Sequence, residues 1–359
     1  MAPPAASQRT ASIGWVLMAS VYVYSKAFAY SCMMMGFMLL KQLTTPRWLF
    51  GYKTRTTPPQ CLQDPDLGQH GYVTVKGEKF HYVGKGDRAK PLMLFVHGFP
   101  DFWYSWRHQM KEFSRDYWTV AVDMRGYGGS PKPADVFDYA VPLLVDDIKG
   151  IVTALGREKF ILVGHDWGAV ISWAFLDRYP EMIEKYIIMN GPNSKVFMQL
   201  QRSSTSKQSS MSWYMYLFQV PYLAELFVTF GDFGLFRKML LGHKRSSPFV
   251  TDGDIEAYKY TFSQPGCITP PFNYYRAFFR SVILKGLVRE AKKAKTENVE
   301  RPKGLYIFGA KDVAIDVQCV GMLKEQIENL ETKIIEDGNH FVHQDEPVAV
   351  NKSIQSFLK

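Results

Sequence analysis

The sequence predicts an α/β protein: a mostly parallel, doubly wound sheet with an inserted helical lid, preceded by an N-terminal membrane-anchor helix. Three observations carry this. Short apolar runs at 92–96, 119–122, 160–163, 186–189 and 305–308 show almost no polar alternation, as strands covered on both faces require. Helix-compatible stretches at 103–113, 143–155 and 170–178 separate the early runs, the pattern of a wound sheet. After Asn190 the alternation stops, and residues 193–301 carry aromatic and Met-rich helical patches without strand-like runs. The chain thus divides into an anchor (1–43), a linker (44–70), a first core part (71–192), a lid (193–301) and a second core part (302–359).

In chain order, residues 11–40 are overwhelmingly apolar or small, long enough for a spanning helix, and Tyr22, Tyr24 and Tyr30 suit a membrane interface. Lys26 interrupts them. A lysine at mid-bilayer costs about 2.5 to 3.5 kcal/mol on insertion scales, so it either snorkels or marks the edge of a span displaced toward 27–40. A cleaved signal peptide is the alternative, and the bulky residues after the long apolar region favour an uncleaved anchor. Lys41, Arg47, Lys53 and Arg55 follow the segment and only Arg9 precedes it, which predicts a single-pass protein, at the endoplasmic reticulum, with its globular part in the cytosol. Pro, Thr and basic residues then form the linker. Residues 72–75 and 79–83 alternate around Lys76-Gly77, a hairpin signal placed before the parallel runs. Sheet and helix resume at Lys303, with a further strand ending at Ile335 and a last helix over 347–358.

A chain of 359 residues with 47% hydrophobic residues buries a sizeable core, which excludes disorder as the default. The net charge of +9 gathers around residues 41–55 and 285–303 without aromatic interleaving. Nucleic-acid binding is a poor reading of that pattern, and a basic surface facing acidic headgroups a better one. Cys32, Cys61, Cys267 and Cys319 have neither C-x-x-C spacing nor the density of a disulfide framework, and read as free thiols.

The chemistry centres on Gly164-His165-Asp166-Trp167-Gly168. An apolar strand stops at Gly164 and a helix-compatible run begins at Ala169, so the turn between them is very tight and Asp166 occupies its apex. Gly-x-Asp-x-Gly is the nucleophile-elbow pattern with Asp in place of Ser, flanked by glycines because the strained turn leaves no space for side chains. On such a scaffold an acid and a histidine follow the nucleophile, in that order, on loops after later strands. Asp312 follows the run ending at Phe308, and His340 follows the one ending at Ile335. Asp312 is expected to hold the His340 imidazole in its useful tautomer. Either residue alone reads equally well as a turn or loop residue, and Asp316 and His343 are the nearby fallbacks. His97-Gly98-Phe99-Pro100 ends the first apolar strand, where a backbone N–H completes an oxyanion hole; Phe99 and Trp167 are the expected donors, unless the motif is simply a Gly-Pro turn. Arg125-Gly126-Tyr127-Gly128-Gly129-Ser130 lacks the Lys-Ser/Thr ending of a phosphate cradle and reads as loop structure.

HGFPDFW at 97–103, RGYGGS at 125–130, GHDWG at 164–168 and the later Asp312 and His340 together resemble the epoxide hydrolases of the α/β-hydrolase fold. The likeness runs over about residues 72–358, and is greatest to their membrane-anchored, vertebrate-type branch. It implies two lid tyrosines that hold and protonate the epoxide oxygen: Tyr214, four residues before Phe218-Gln219-Val220-Pro221, and Tyr275 in Asn273-Tyr274-Tyr275-Arg276. Read from residue type alone, both belong to lid packing, and Tyr216 and Tyr274 are the neighbours most easily confused with them.

An epoxide carbon is an electrophile without a carbonyl, so a carboxylate can open the ring and remain as an ester on Asp166. The departing alkoxide takes a proton from a phenol, and water activated by His340 then hydrolyses the ester to release a vicinal diol. This chemistry is expected to need no metal and no organic cofactor; its partners are a small apolar epoxide and, through the anchor, a membrane. One departure is Asn339, where many relatives have Gly; Asn tolerates left-handed backbone and is expected to preserve the loop. The rivals are a haloalkane-type dehalogenase, whose halide needs no proton donor, and a non-catalytic membrane-anchored binding protein of the same fold. Asp166 itself disfavours a Ser-type esterase.

Overall fold

The computed structural model describes residues 5–45, 53–242, 244, 247–284 and 301–359, with side chains from Ile13 onward. Arg9's side chain, Arg47, and the stretch 285–300 that holds the end of the expected lid and most of the second basic cluster lie outside the described residues.

The chain opens with α1 (Ala5–Thr44) and reaches the sheet at β1 (Gln69–Val75) and β2 (Glu78–Lys85), an antiparallel hairpin turning at Lys76-Gly77. Then come β3 (Leu92–Val96), α2 (Arg107–Phe113), β4 (Trp118–Val122), α3 (Val141–Ala154), β5 (Phe160–His165), α4 (Trp167–Arg178) and β6 (Ile183–Met189). The eight strands stand in the order β1-β2-β4-β3-β5-β6-β7-β8, with β7 (Lys303–Gly309) and β8 (Leu330–Ile335) completing the far edge. From β4 onward every pairing is parallel. β3 and β4 are buried at every position and β5 throughout, because helices cover both faces of a parallel sheet.

Among the described residues six helices lie between β6 and β7: α5 (Ser194–Arg202), α6 (Gln208–Met211), α7 (Trp213–Leu217), α8 (Leu223–Leu241), α9 (Asp252–Ser263) and α10 (Pro270–Leu284). α8 is broken by non-helical backbone at Phe230, Gly231, Asp232 and Phe233. α9 starts on a reciprocal cap, in which Thr251 and Asp254 each bond the other's backbone N–H. After β7 the chain adds α11 (Gln318–Gln326), α12 (Val342–Asp345) and α13 (Pro347–Leu358).

Two expectations change here. Where described, the 44–70 segment is a packed strap rather than a free linker: Leu62 is buried, and Arg55 pairs with Asp232 at 2.7 Å and Glu256 at 3.1 Å. Arg55 therefore holds the strap to α8 and α9 instead of facing headgroups. The second change concerns α1. It contains a 32-residue stretch, Ile13–Thr44, apolar and long enough to cross a membrane, yet it packs along the lid, against α7 and α10.

Candidate active site

β5 ends at His165 and α4 begins at Trp167, two residues earlier than the sequence pattern indicated, so the turn consists of Asp166 alone. Its backbone sits at φ 54°, ψ −116°, a region that costs a non-glycine residue about 1–3 kcal/mol. The surrounding structure holds it there: Asp166 N–H donates to Met189 O and Val170 N–H to Asp166 O. The flanking glycines have a steric cause. A Cβ on Gly168 would meet Val96 O at 2.0 Å, and one on Gly164 would meet Ser172 Oγ at 2.3 Å. Gly98 is needed too, since its Cβ would fall 2.3 Å from Asp166 Oδ1.

That closeness lets the Phe99 N–H donate to Asp166 Oδ1 at 2.6 Å. Of the two expected backbone donors, Phe99 holds the resting carboxylate; Trp167 opens α4, where a first-turn N–H has no intrahelical partner. His97 fixes the Phe99 loop by donating from Nδ1 to Gly98 O and accepting the Met124 N–H at Nε2. The other Asp166 oxygen, Oδ2, lies 3.3 Å from His340 Nε2. His340 Nδ1–H donates to Asp312 Oδ2 at 2.8 Å. The Asp312 carboxylate is fully buried and saturated: Ala314 and Ile315 N–H groups donate to Oδ1, and Asn190 Nδ2 donates to Oδ2 at 2.7 Å.

The electrostatics follow from this line of groups. Burial disfavours a charged His340, but the charges and hydrogen bonds of Asp312 and Asp166 outweigh it and raise the imidazole to about 10. Burial likewise pushes Asp166 up, and the His340 hydrogen bond and charge overcome this to leave it below the usual carboxylate range. The resting pair is carboxylate and imidazolium.

Tyr214 on α7 and Tyr275 on α10 close the site from above, their ring centroids 5.9 Å apart. With Asp166, His340 and Phe99 they line a cavity of about 470 Å³ whose walls include Met211, Phe218, Phe227 and Met239. A smaller space of about 70 Å³, bounded by Trp167, Phe197 and Phe278, also reaches Asp166 and both tyrosines. Burial, then the nearby charge on Asp166, raises the Tyr214 phenol; burial and the neighbouring Tyr214 raise Tyr275. Both remain protonated donors at neutral pH. Their sequence neighbours are occupied elsewhere. Tyr274 OH donates to Arg125 O, and Tyr216 stacks against Tyr30 of α1.

All seven sequence-selected residues therefore gather in one place, whereas the fallbacks do not. Asp316 accepts from Ser206 and Lys207, and His343 is buried against Trp106 and His165. Asn339 is a correction. It is not among the residues with left-handed backbone; its Oδ1 accepts the Phe341 N–H at 2.7 Å, its N–H donates to Asp345, and its Nδ2 donates to Leu240 O. A side-chain turn, not a backbone inversion, shapes the loop before His340. Trp167 also contributes its side chain: its indole meets the Tyr275 ring edge-on at 5.1 Å and is part of the wall.

Sequence reading missed Asn190, which directly follows β6, a polar residue at the carboxyl end of a buried strand. It also missed a layer behind His340, where His165 Nε2–H donates to His340 O at 2.7 Å and Asp101 accepts from Tyr258 and Gln344 while lying 3.4 Å from His165 Nδ1.

A family described as the alpha/beta hydrolase fold matches residues 91–347. Epoxide hydrolase 4 of Mus musculus is 39% identical over 370 residues, covering 100% of this chain and 98% of its own length. Epoxide hydrolase 3 of Mus musculus is 37% identical over 357 residues, covering 96% and 93%. The solved structure of Bacillus megaterium epoxide hydrolase in complex with an inhibitor aligns with a TM-score of 0.70 at 33% identity, over 80% of this chain and 99% of that one. On its fold, its full-length relatives and the order of its motifs, the chain is an enzyme that belongs to the epoxide hydrolase family of the α/β-hydrolase fold.

Proposed function

We propose that this enzyme opens an apolar, lipid-derived epoxide through an ester on Asp166 and releases a vicinal diol. The observation that supports it best is that a single cavity receives a carboxylate with an imidazole beside it from the core, and two phenols from the lid. Phe99 occupies Oδ1 of Asp166, which leaves Oδ2 to attack the epoxide carbon. The C–O bond breaks as the new one forms, and Tyr275 and Tyr214 hydrogen-bond the departing oxygen and supply its proton.

Ester formation removes the charge of Asp166 from beside His340. One of the two carboxylates that hold the imidazole protonated is then gone, and its proton becomes easier to lose, to the phenolate that ring opening leaves on the lid. The base is thus switched on by the intermediate it must hydrolyse. Water activated at Nε2 adds to Cγ of Asp166, and the negative charge develops on Oδ1, at the Phe99 N–H and within reach of the helix-opening Trp167 N–H. Collapse expels the diol alkoxide, which takes a proton from the His340 imidazolium, and the carboxylic acid left on Asp166 passes its proton to the imidazole, restoring the resting carboxylate and imidazolium.

Solvent oxygen therefore enters the protein before it enters product. In a single turnover in ¹⁸O water the label is expected on Asp166 and not in the diol, read by peptide mass spectrometry; label in the diol at first turnover would overturn the ester route. Tyr275→Phe removes a donor used in ring opening, so alkylation of Asp166 should slow by about 10²-fold or more while ester hydrolysis changes little. Rapid-quench measurement of the two steps checks this, and equal slowing of both contradicts the assignment. A halide leaving group would leave Tyr275→Phe nearly silent, which separates the dehalogenase reading. A cavity of about 470 Å³ walled by aromatic and Met side chains suits a bulky apolar substrate. We place the enzyme on a membrane through α1, with its catalytic part on the cytosolic side, the side favoured by the basic residues that follow α1.

A further inference from the structure

The lid-facing residues of α1 form one continuous stripe. Val23, Ala27, Ser31, Met34 and Met38 are buried, at helical spacing, and Val16, Ala19 and Tyr30 are partly buried beside Tyr216, Ile283 and Phe279. From Val16 to Met38 the helix rises roughly 33 Å, as much as the hydrocarbon core of a bilayer. A helix held to the lid over that distance has no undocked length left with which to cross.

Lys26 explains itself in this arrangement. It lies in the stripe, its ammonium donating to Tyr22 OH at 2.7 Å and standing 4.9 Å from the Tyr216 ring centroid. In hydrocarbon that lysine is costly, whereas against the lid it has two phenol partners. Around the rest of its circumference α1 remains apolar and open: Leu17, Met18, Val21, Phe28, Leu39 and Leu40 are each at least half exposed. A ridge of that length and character is not stable in water. In its last turn Lys41 is exposed and positively charged, as a surface meeting anionic headgroups requires.

We propose that α1 is a monotopic anchor, lying in the plane of the membrane between the lid and a phospholipid bilayer, and not a bilayer-crossing tether. Tyr214 sits on α7 between Trp213 and Tyr216, both of which touch α1 through Tyr30, so the helix that carries a lining residue of the cavity is backed by the lipid-bound one. The enzyme rides lid-down, and an apolar substrate passes to the cavity without crossing bulk water.

The test uses the full chain in sealed phosphatidylcholine–phosphatidylserine vesicles, with one epitope before residue 1 and another after Lys359. Added protease is expected to remove both epitopes from the same molecules. Protection of the N-terminal epitope where the C-terminal one is cut would establish a span and overturn the proposal. A second arm, Leu17→Glu/Phe28→Glu/Leu39→Glu, changes only outward side chains. Flotation with vesicles should fall by at least about tenfold, because each of these side chains gains well over RT on leaving water. Unchanged flotation, or a wild-type chain that stays dimeric and vesicle-free because a second copy covers the ridge, would also overturn it. Both arms read topology or binding and stand apart from turnover, so failure here leaves the epoxide reading untouched, and the reverse.

Discussion

His340→Gln enzyme mixed with an epoxide is expected to bind about one equivalent covalently and then stop. Asp166 keeps its Phe99 donor in the variant and the tyrosines that serve ring opening lie on the lid, so the first half-reaction proceeds, at a pH high enough to offset the upward shift of Asp166 that follows loss of the imidazolium. Ester hydrolysis loses its general base and should slow by about 10²- to 10⁴-fold. Intact-protein mass spectrometry would show an adduct of protein plus epoxide mass, located by digestion to the peptide containing Asp166. Steady diol production at the wild-type rate would exclude His340 as the base, and absence of any adduct from correctly folded protein would mean that His340 is also needed for attack. Glutamine retains a hydrogen-bonding end group beside Asp312, which limits the disturbance of a buried carboxylate that already has three other donors.

Much of this site was legible from sequence because its parts occur where a buried parallel sheet must become polar. Strands sheathed on both faces show as unbroken apolar runs, and the polar residues within a few positions of each run's end lie at the carboxyl edge, where open α/β sheets bind ligands. Asp166, Asp312 and His340 are all of this kind. Asn190 is too, but a lone Asn at a strand end reads as a turn, and its role as a donor to Asp312 depends on a neighbour 122 residues away. The support behind His340 was not visible for the same reason: His165 bonds a carbonyl 175 residues on, and Asp101 meets Gln344 across 243. The two lid tyrosines were selected by family resemblance, since in an aromatic lid nothing local separates Tyr214 from Tyr216 or Tyr275 from Tyr274. Structure separates them by what each hydroxyl or ring faces. For α1, apolar length alone predicts a span; the stripe that docks it on the lid is a tertiary feature, and Lys26 was its one local sign.

Asp166→Asn is expected to abolish both adduct and diol, since an amide oxygen is too weak a nucleophile for an epoxide carbon, and Asp166→Ala should do the same. The asparagine variant also tests the electrostatic switch. It keeps the shape of the side chain while deleting one of the two charges that raise His340, just as the ester does during turnover. The imidazole, protonated up to about pH 10 in the resting enzyme, should then titrate lower by about one to three pH units, the usual effect of one adjacent charge, as read from ¹⁵N shifts of His340. The sign carries through to stability. A group whose folded value lies above its ordinary 6.5 binds more protons folded than unfolded between the two values, so its contribution is complete below about 6.5 and is lost as pH rises through about 10. In Asp166→Asn the contribution should be smaller and its loss, still starting near 6.5, should be complete at a lower pH, so the denaturation midpoint stops falling sooner on the alkaline side. If His340 titrates unchanged, Asp312 alone holds its proton, ester formation cannot release it, and the base must be activated by some other event in the cycle.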